Sequence, residues 1–222
     1  MRQDIKITGD GSFTLYVPEL NEHYHSVYGA VQESKHVFIK SGLRLLNIEK
    51  PKILEIGFGT GLNALLTLLN SEKFEIIEYD GVEFYPLDWE KVLPLEYHNF
   101  LKLSPDQLKM FEKIHTSPWN ELVQINQGFI LYKLKMKIQD FISAKKYDLV
   151  YFDAFAPEVQ PELWTEKNFQ RIYTVLNING ILVTYCAKGE VRRIMQRCGF
   201  TVERLAGPPG KREMLRAFKN EL

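Results

Sequence analysis

Four carboxylates stand where apolar runs of this sequence give out. Glu55 precedes the glycines of EIGFGTG, Glu83 lies near the end of FEIIEYDGVEFYP, Asp140 lies in KIQDFI, and Asp153 follows the run in YDLVYFDAFAP. An ionised carboxylate only accepts hydrogen bonds, so a row of them suits a ligand rich in hydroxyl and amino donors. In an open α/β sheet such ligands sit outside the carboxyl ends of the strands. Read in that order, Glu83 accepts from two ribose hydroxyls. Asp140 accepts from an adenine amino group, with Phe141 against the ring, and Asp153 faces the reacting centre.

Gly57, Gly59 and Gly61 follow an apolar strand and open directly into LNALLTLL. Glycines let the backbone pass close to a ligand, and a helix start offers free N–H groups. The pattern is E-x-G-x-G-x-G and not the dinucleotide spacing G-x-G-x-x-G. An acid ahead of the turn disfavours a nearby pyrophosphate. It favours a cofactor whose near end is cationic, such as the sulfonium and ammonium of S-adenosyl-L-methionine, and Glu55 joins the cofactor set on that ground. The alternative, a nicotinamide dehydrogenase, lacks here the expected second glycine spacing and an evident acid or base for hydride transfer.

With such a cofactor, Asp153 points to methyl transfer onto nitrogen. The displacement is in line, so the main task is to align a nitrogen lone pair with the methyl carbon. A primary amine is mostly protonated at neutral pH, and must be held, desolvated and deprotonated. A carboxylate holds the ammonium and later stabilises the cationic product. Pro157 and Pro161 rigidify the loop that fixes this geometry. The bland reading, Asp153 as a helix cap, is weaker because Thr165 sits nearer the next helical run and is the better N-cap.

The elements that must hold these residues alternate along the chain. Residues 1–17 alternate around a GDGS turn and predict a hairpin, and 19–47 read mostly as helix, with Val37, Leu43 and Leu46 at helical spacing. Strands follow at 53–56, up to Glu83, up to Asp140, in YDLVYFDAF and in NINGILVTYCA. Helices follow in LNALLTLL, in TEKNFQRIYTVL, and in GEVRRIMQRCGF, which Gly199 closes. TVERLAG and REMLRAFKN form a final strand pair. Strands alternating with helices imply an α/β, doubly wound, mostly parallel sheet, and the closing hairpin adds one antiparallel strand. Residues 88–125, rich in Leu, Trp and Tyr with Pro94, Pro105 and Pro118, read as a mostly helical insertion. The division expected is 1–48, an N-terminal hairpin and helical segment, and 49–222, the catalytic domain.

The bulk numbers narrow the field. The 222 residues suit one α/β domain, and 45% hydrophobic residues supply its core. Cys186 and Cys198 form no CxxC pair, and His23, His25 and His36 have no acids at ligand spacing, so neither a disulfide framework nor a metal site is expected. No signal core and no run of about 18 apolar residues is present, so the expected location is the cytoplasm, with no membrane contact. Formal charge is zero, yet from Cys186 onward nine Lys and Arg face four acids, an excess of five. Such asymmetry suits a face for nucleic-acid phosphates, with Lys188, Arg192, Lys211 and Arg212 as its candidates. Phe155 is placed to stack on an extruded base, and Trp164 either stacks with it or packs in the core.

Several stretches also resemble a known family. FGTGLN (Phe58 to Asn63), DAFAP followed by PELWT, VRRIMQRCGFTVER and GKREML resemble the methyltransferase domain of the MnmC family of tRNA wobble-uridine modification enzymes. HYHSVYGAVQESKHVFIKSGL resembles that family's opening segment. The resemblance spans roughly residues 20 to 217 and is weakest at 88–125. It implies a class I, Rossmann-like fold and S-adenosyl-L-methionine-dependent methylation of 5-aminomethyl-(2-thio)uridine in tRNA. It further implies that Gly57, Gly59 and Gly61 line the methionine part of the cofactor, that Glu83 takes the ribose and Asp140 the adenine, and that Asp153 takes the substrate amine; Phe58 and Asn63 join the expected cofactor residues, and Phe155 and Pro157 the expected substrate residues. Tyr24, His25, Gln32 and Glu33 would lie on a segment covering the cofactor. The family's flavin-dependent oxidase half has no counterpart in this sequence, so a separate enzyme would supply the aminomethyl group. Two other readings keep the cofactor: methylation of a small amine, and a non-catalytic S-adenosyl-L-methionine-binding domain. The position of the basic residues relative to the pocket separates the first of these from a tRNA substrate.

Overall fold

A computed structural model describes residues 2–221. The chain begins with β1 (Asp4–Ile7), β2 (Phe13–Val17) and β3 (Glu22–His23), which pair as a small antiparallel sheet. A short helix α1 (Ala30–Ser34) runs on into a π-helical stretch, Lys35–Lys40. Then come β4 (Lys52–Ile56), α2 (Leu62–Leu69), β5 (Ile77–Glu83), α3 (Trp89–Val92), α4 (Tyr97–Phe100), α5 (Pro105–Thr116), β6 (Leu122–Asn126) and β7 (Phe129–Lys135). The remainder is β8 (Tyr147–Phe152), α6 (Glu166–Val175), β9 (Leu176–Thr184), α7 (Gly189–Arg197), β10 (Thr201–Ala206) and β11 (Glu213–Phe218).

Eight strands form one sheet in the order β10-β11-β9-β8-β4-β5-β7-β6. The pairs β9/β8, β8/β4, β4/β5 and β5/β7 are parallel, and β11 is antiparallel to both its neighbours. From β4 the chain steps outward through β5 to β7, then returns to the other side of β4 with β8. That reversal lies between β4 and β8, where an open α/β sheet forms its ligand crevice. The central strands are buried on both faces, which is why YDLVYF reads as one apolar run. Leu149 and Tyr151 join the core on one face with Phe38, Leu65 and Tyr79, while Val150 and Phe152 join the other with Trp164 and Phe169.

Three local expectations are corrected. Residues 19–29 are turn, strand and loop, and helix starts only at Ala30. Backbone groups there find partners outside a helix: Tyr24 N donates to Leu15 O at 2.9 Å and His25 N to Thr14 Oγ1 at 3.0 Å. The strand expected to reach Asp140 stops at Lys135, because its partner β5 ends at Glu83. Met136 N makes a last bond to Glu83 O, and residues 138–140 turn as 3-10 helix. Most of 88–125 is helical, but 122–126 is the edge strand β6, antiparallel to β7.

The longest helix of that segment, α5, is set by a capping box. Ser104 Oγ accepts from Gln107 N at 3.2 Å, and the Gln107 side chain accepts from Ser104 N at 2.9 Å. Phe111, Ile114 and His115 then face the core. Replacing Ser104 by Ala leaves the Gln107 N–H without its side-chain acceptor. Chemical denaturation of S104A should show a loss of about 1 kcal/mol, with affinity for S-adenosylhomocysteine unchanged.

Candidate active site

At the carboxyl end of β4 the chain leaves no room for side chains at positions 57 and 61. Gly57, Gly59 and Gly61 all take left-handed backbone angles, with φ of 89°, 49° and 67°. A Cβ on Gly57 would collide with the Asp153 carbonyl, so β4 and β8 touch just where both strands end. The turn is tied to β5 by Gly57 N and Phe58 N, which donate to Val82 O at 3.0 and 3.3 Å. Above it lies a cavity of about 220 Å³ lined by residues 56–60, Leu62 and Asn63, by the end of β5, by 136–139 and by 153–155. Tyr24 and His25 of the N-terminal segment close one side of it.

Glu83 rims the cavity, and its two oxygens accept from Gly59 N at 3.1 Å and Tyr85 N at 2.8 Å. These bonds fix the carboxylate and leave lone pairs free for further donors. Asp153 follows β8 directly, its N–H donating to Ile56 O at 2.9 Å. Its Oδ2 accepts from Asn63 Nδ2 at 2.8 Å. Burial, reinforced by the nearby Glu33 carboxylate, pushes the Asp153 carboxyl up to about 7, against the opposing pull of Asn63 and Lys211. Trp164 Nε1 donates to Phe155 O at 2.7 Å and Tyr185 Oη to Ala154 O at 2.8 Å, so side chains from outside pin the loop after Asp153.

A second cavity of about 320 Å³ adjoins the first and shares Tyr24, His25, Ala154 and Phe155 with it. His23, Tyr28 and Tyr185 add aromatic walls, and Glu33 and Lys211 add charge. Tyr24 and Phe155 meet edge to face with ring centroids 5.0 Å apart, at the boundary of the two spaces. Lys211 Nζ bonds Glu33 Oε2 at 2.5 Å and lies 3.9 Å from the Tyr185 ring centroid. Burial and the Lys211 charge hold the His25 imidazole down to about 4, so it is neutral at physiological pH.

Of the residues expected at the cofactor, Gly57, Phe58, Gly59, Asn63 and Glu83 line the first cavity. Glu55 lies outside its lining: β4 is covered on both faces, and the side chain is sealed among Asn63 and Tyr79. Gly61 lies on the far side of the turn, toward His115. Because β7 ends early, Gln139 lines the cavity where Asp140 was expected, and Asp140 is exposed behind it. Phe141 packs into the core beside Tyr147. Glu33 belongs to the second cavity.

Of the residues expected at the substrate, Phe155 lines both cavities and Lys211 the second. Pro157, Lys188, Arg192 and Arg212 line neither. Lys188 pairs instead with Glu158 of the loop after Asp153, and Arg212 is exposed beside Lys211. Trp164 is core, 4% exposed against Phe152 and Phe169. Met136 to Gln139, Phe84 and Tyr85 were not foreseen. The alternation in FILYKLK, which buries Phe129, Leu131 and Lys133, stops at Lys135 and was the signal for the first group. Two exposed aromatics directly after Glu83 were the signal for the second.

Residues 98–220 match the S-adenosyl-L-methionine-dependent methyltransferase family, and the chain belongs to it. Its fold is that of a class I methyltransferase and its cofactor is S-adenosyl-L-methionine. Within that class its relatives include the tRNA 5-methylaminomethyl-2-thiouridine biosynthesis bifunctional protein MnmC. The Cupriavidus metallidurans protein of that name is 29% identical over 222 residues, covering 94% of this chain and 32% of that protein. An uncharacterized Methanocaldococcus jannaschii protein is 29% identical over 218 residues, covering 96% of this chain and 58% of its own length. The chain thus spans between a third and three-fifths of these curated relatives. The crystal structure of MnmC2 from Aquifex aeolicus aligns with a TM-score of 0.78 at 28% identity, over 100% of this chain and 72% of that one. Spermidine synthase from Thermotoga maritima shares the fold, with a TM-score of 0.55 at 15% identity over 98% of this chain and 69% of that one.

The residues present fit the cofactor. The Gly57–Gly59 backbone offers close approach, Glu83 keeps free lone pairs, and Asn63 Oδ1 is a buried acceptor with no partner. No group of three or more His, Cys, Asp and Glu is arranged to hold a metal among the described residues. No helix among them is long and apolar enough to cross a membrane. The Gly57 contact gives a direct test. An alanine there adds backbone strain of about 1–2 kcal/mol and displaces Asp153. G57A should bind S-adenosylhomocysteine at least about tenfold more weakly by calorimetry and lose methyl transfer, while its circular dichroism stays native.

Proposed function

We propose that this chain transfers a methyl group from S-adenosyl-L-methionine to the primary amine of 5-aminomethyl-(2-thio)uridine at the wobble position of tRNA, in the cytoplasm. The observation that carries the reading is Asp153 in the wall of the first cavity, directly before Ala154 and Phe155, which that cavity shares with the aromatic-walled second one. Kinship with MnmC, whose name states 5-methylaminomethyl-2-thiouridine biosynthesis, supports the same substrate. A flat pyrimidine turned out of the RNA stack suits a slot lined by Tyr24, Tyr28, Phe155 and Tyr185, since aromatic walls stack on either face of a base. The N-terminal segment closes over cofactor and base together, through Tyr24 and His25.

When bound, the cofactor supplies an electrophilic methyl group on sulfur. Asp153 accepts a hydrogen bond from the substrate ammonium and takes its proton, freeing the nitrogen lone pair. The new N–C bond forms as the C–S bond breaks, and that bond's electron pair stays on sulfur. A carboxyl held near 7 is matched to this work, because it is about half ionised at the working pH and so both accepts and returns a proton. Glu83 orients the ribose and Gln139, in place of Asp140, reaches the adenine edge. Arg212, exposed beside Lys211, meets the RNA phosphates, while Lys211 and Lys188 are held by Glu33 and Glu158. A separate oxidative enzyme, or another aminomethyl-forming route, supplies the substrate amine.

Labelled S-adenosyl-L-methionine and tRNA from cells lacking this gene provide the test. Nucleoside mass analysis should find a new 5-methylaminomethyl uridine at the wobble position. Transfer to small amines and none to tRNA would refute the substrate. D153N should lose about 100-fold or more in kcat with affinity for S-adenosylhomocysteine retained. In the wild type, kcat/KM should fall as pH drops below about 7, because the raised carboxyl then takes up its proton. D153N should lack that acid limb.

A further inference from the structure

Glu55 is fully buried, yet it is not idle. Its Oε1 accepts from Asn63 Nδ2 at 2.8 Å and its Oε2 from Tyr79 Oη at 2.7 Å. The same Asn63 nitrogen donates to Asp153 Oδ2 at 2.8 Å. An amide group carries two N–H bonds, and here both are claimed, each by a carboxyl oxygen. Asn63 backbone is fixed as well, since Thr67 Oγ1 donates to Asn63 O at 2.7 Å. The amide has no freedom left to flip. Its carbonyl oxygen is left as the only uncommitted atom, buried and without a partner in a side chain that lines the cofactor cavity. A buried carbonyl without a donor is costly, and a ligand N–H removes that cost.

We propose that Glu55 is a positioning residue that acts on the reacting centre through Asn63, holding its amide so that one N–H steadies Asp153 and the carbonyl oxygen receives a ligand ammonium. This rests on the reading of Asp153 as the group that meets the substrate amine. Glu55 and Asp153, with one shared amide between them, present the ligand with an acceptor pair, Asn63 Oδ1 and Asp153. Glu55 thereby makes no ligand contact itself, although it stands ahead of the glycine turn. The ammonium comes either from the methionine end of the cofactor or from the substrate, and the two are separable.

The binding arm uses Asn63→Leu with S-adenosylhomocysteine and with 5′-methylthioadenosine, which lacks the ammonium, both by calorimetry. A loss of roughly tenfold for the first ligand only, the worth of one hydrogen bond to a charged group, assigns Asn63 Oδ1 to the cofactor ammonium. Unchanged affinity for both, with KM for aminomethyl tRNA raised about tenfold, assigns it to the substrate amine. No change in any of these overturns the ammonium site. The positioning arm uses Glu55→Leu, an apolar residue in an apolar surround. If Glu55 acts through Asn63, releasing the amide weakens the N–H bond that favours the Asp153 carboxylate, and the acid limb of kcat/KM moves alkaline by about half a unit or more. A limb that moves acid, as loss of a like charge would cause, or one that stays in place overturns the positioning role. Because the calorimetric arm needs no RNA, it stands even if tRNA is not the substrate.

Discussion

Between β4 and β8 the two backbones meet so closely that only glycine fits at position 57, against the carbonyl of Asp153. Everything in the site is referred to that contact. It sets the loop after β8 directly against the glycine turn, with no side chain between them to absorb error. The turn in turn is tied to β5 through Val82 O, so three parallel strands end in register around one point. A carboxylate at the end of β5 and another at the end of β8 then face a common space without either needing a long or flexible arm.

The acids around that space differ because their surroundings do. Glu55 is sealed and pushed well above the usual carboxylate range by desolvation, with Tyr79 and Asn63 opposing the shift. Asp153 is partly open and held near 7 by burial. Glu83 is braced by two backbone N–H groups. Carboxyl side chains thus occupy three different settings, one sealed in the core, one raised by burial and a like charge, and one fixed by backbone N–H groups. The aromatic pair of Tyr24 and Phe155 stands between the cavity above the glycine turn and the space lined by His23, Tyr28 and Tyr185.

Most of this was legible where the pattern was local. The E-x-G-x-G-x-G turn, the apolar run ending at Asp153 and the Thr165 cap, whose side chain accepts from Asn168 N, are all properties of a few adjacent residues. What was not legible depended on partners distant in sequence. Asp140 misses the cavity because β7 can extend only as far as β5 gives it hydrogen bonds, a limit set some fifty residues earlier at Glu83. Glu55 faces inward because Tyr79 on the next strand and Asn63 on the following helix offer donors there. The loop at 19–29 escapes helix because Thr14 and Leu15, across the hairpin, claim its backbone. The basic tail read as a single face from composition, but the fold gives only Lys211 to the cavity wall and spends Lys188 on Glu158.

The second cavity is closed by partners from opposite regions of the chain. Lys211 reaches Glu33 across 178 positions and His36 reaches Ala206 across 170, while Tyr28 lies over Gly210. Closing so long a loop carries an entropic penalty that is recovered only once the sheet between the two segments has assembled. As the polypeptide emerges from the ribosome, the glycine turn and its three strands have their partners well before the final hairpin is made. The first cavity's glycine turn therefore exists in a nascent chain whose second cavity is still open, and that cavity is finished only when the last strand has docked.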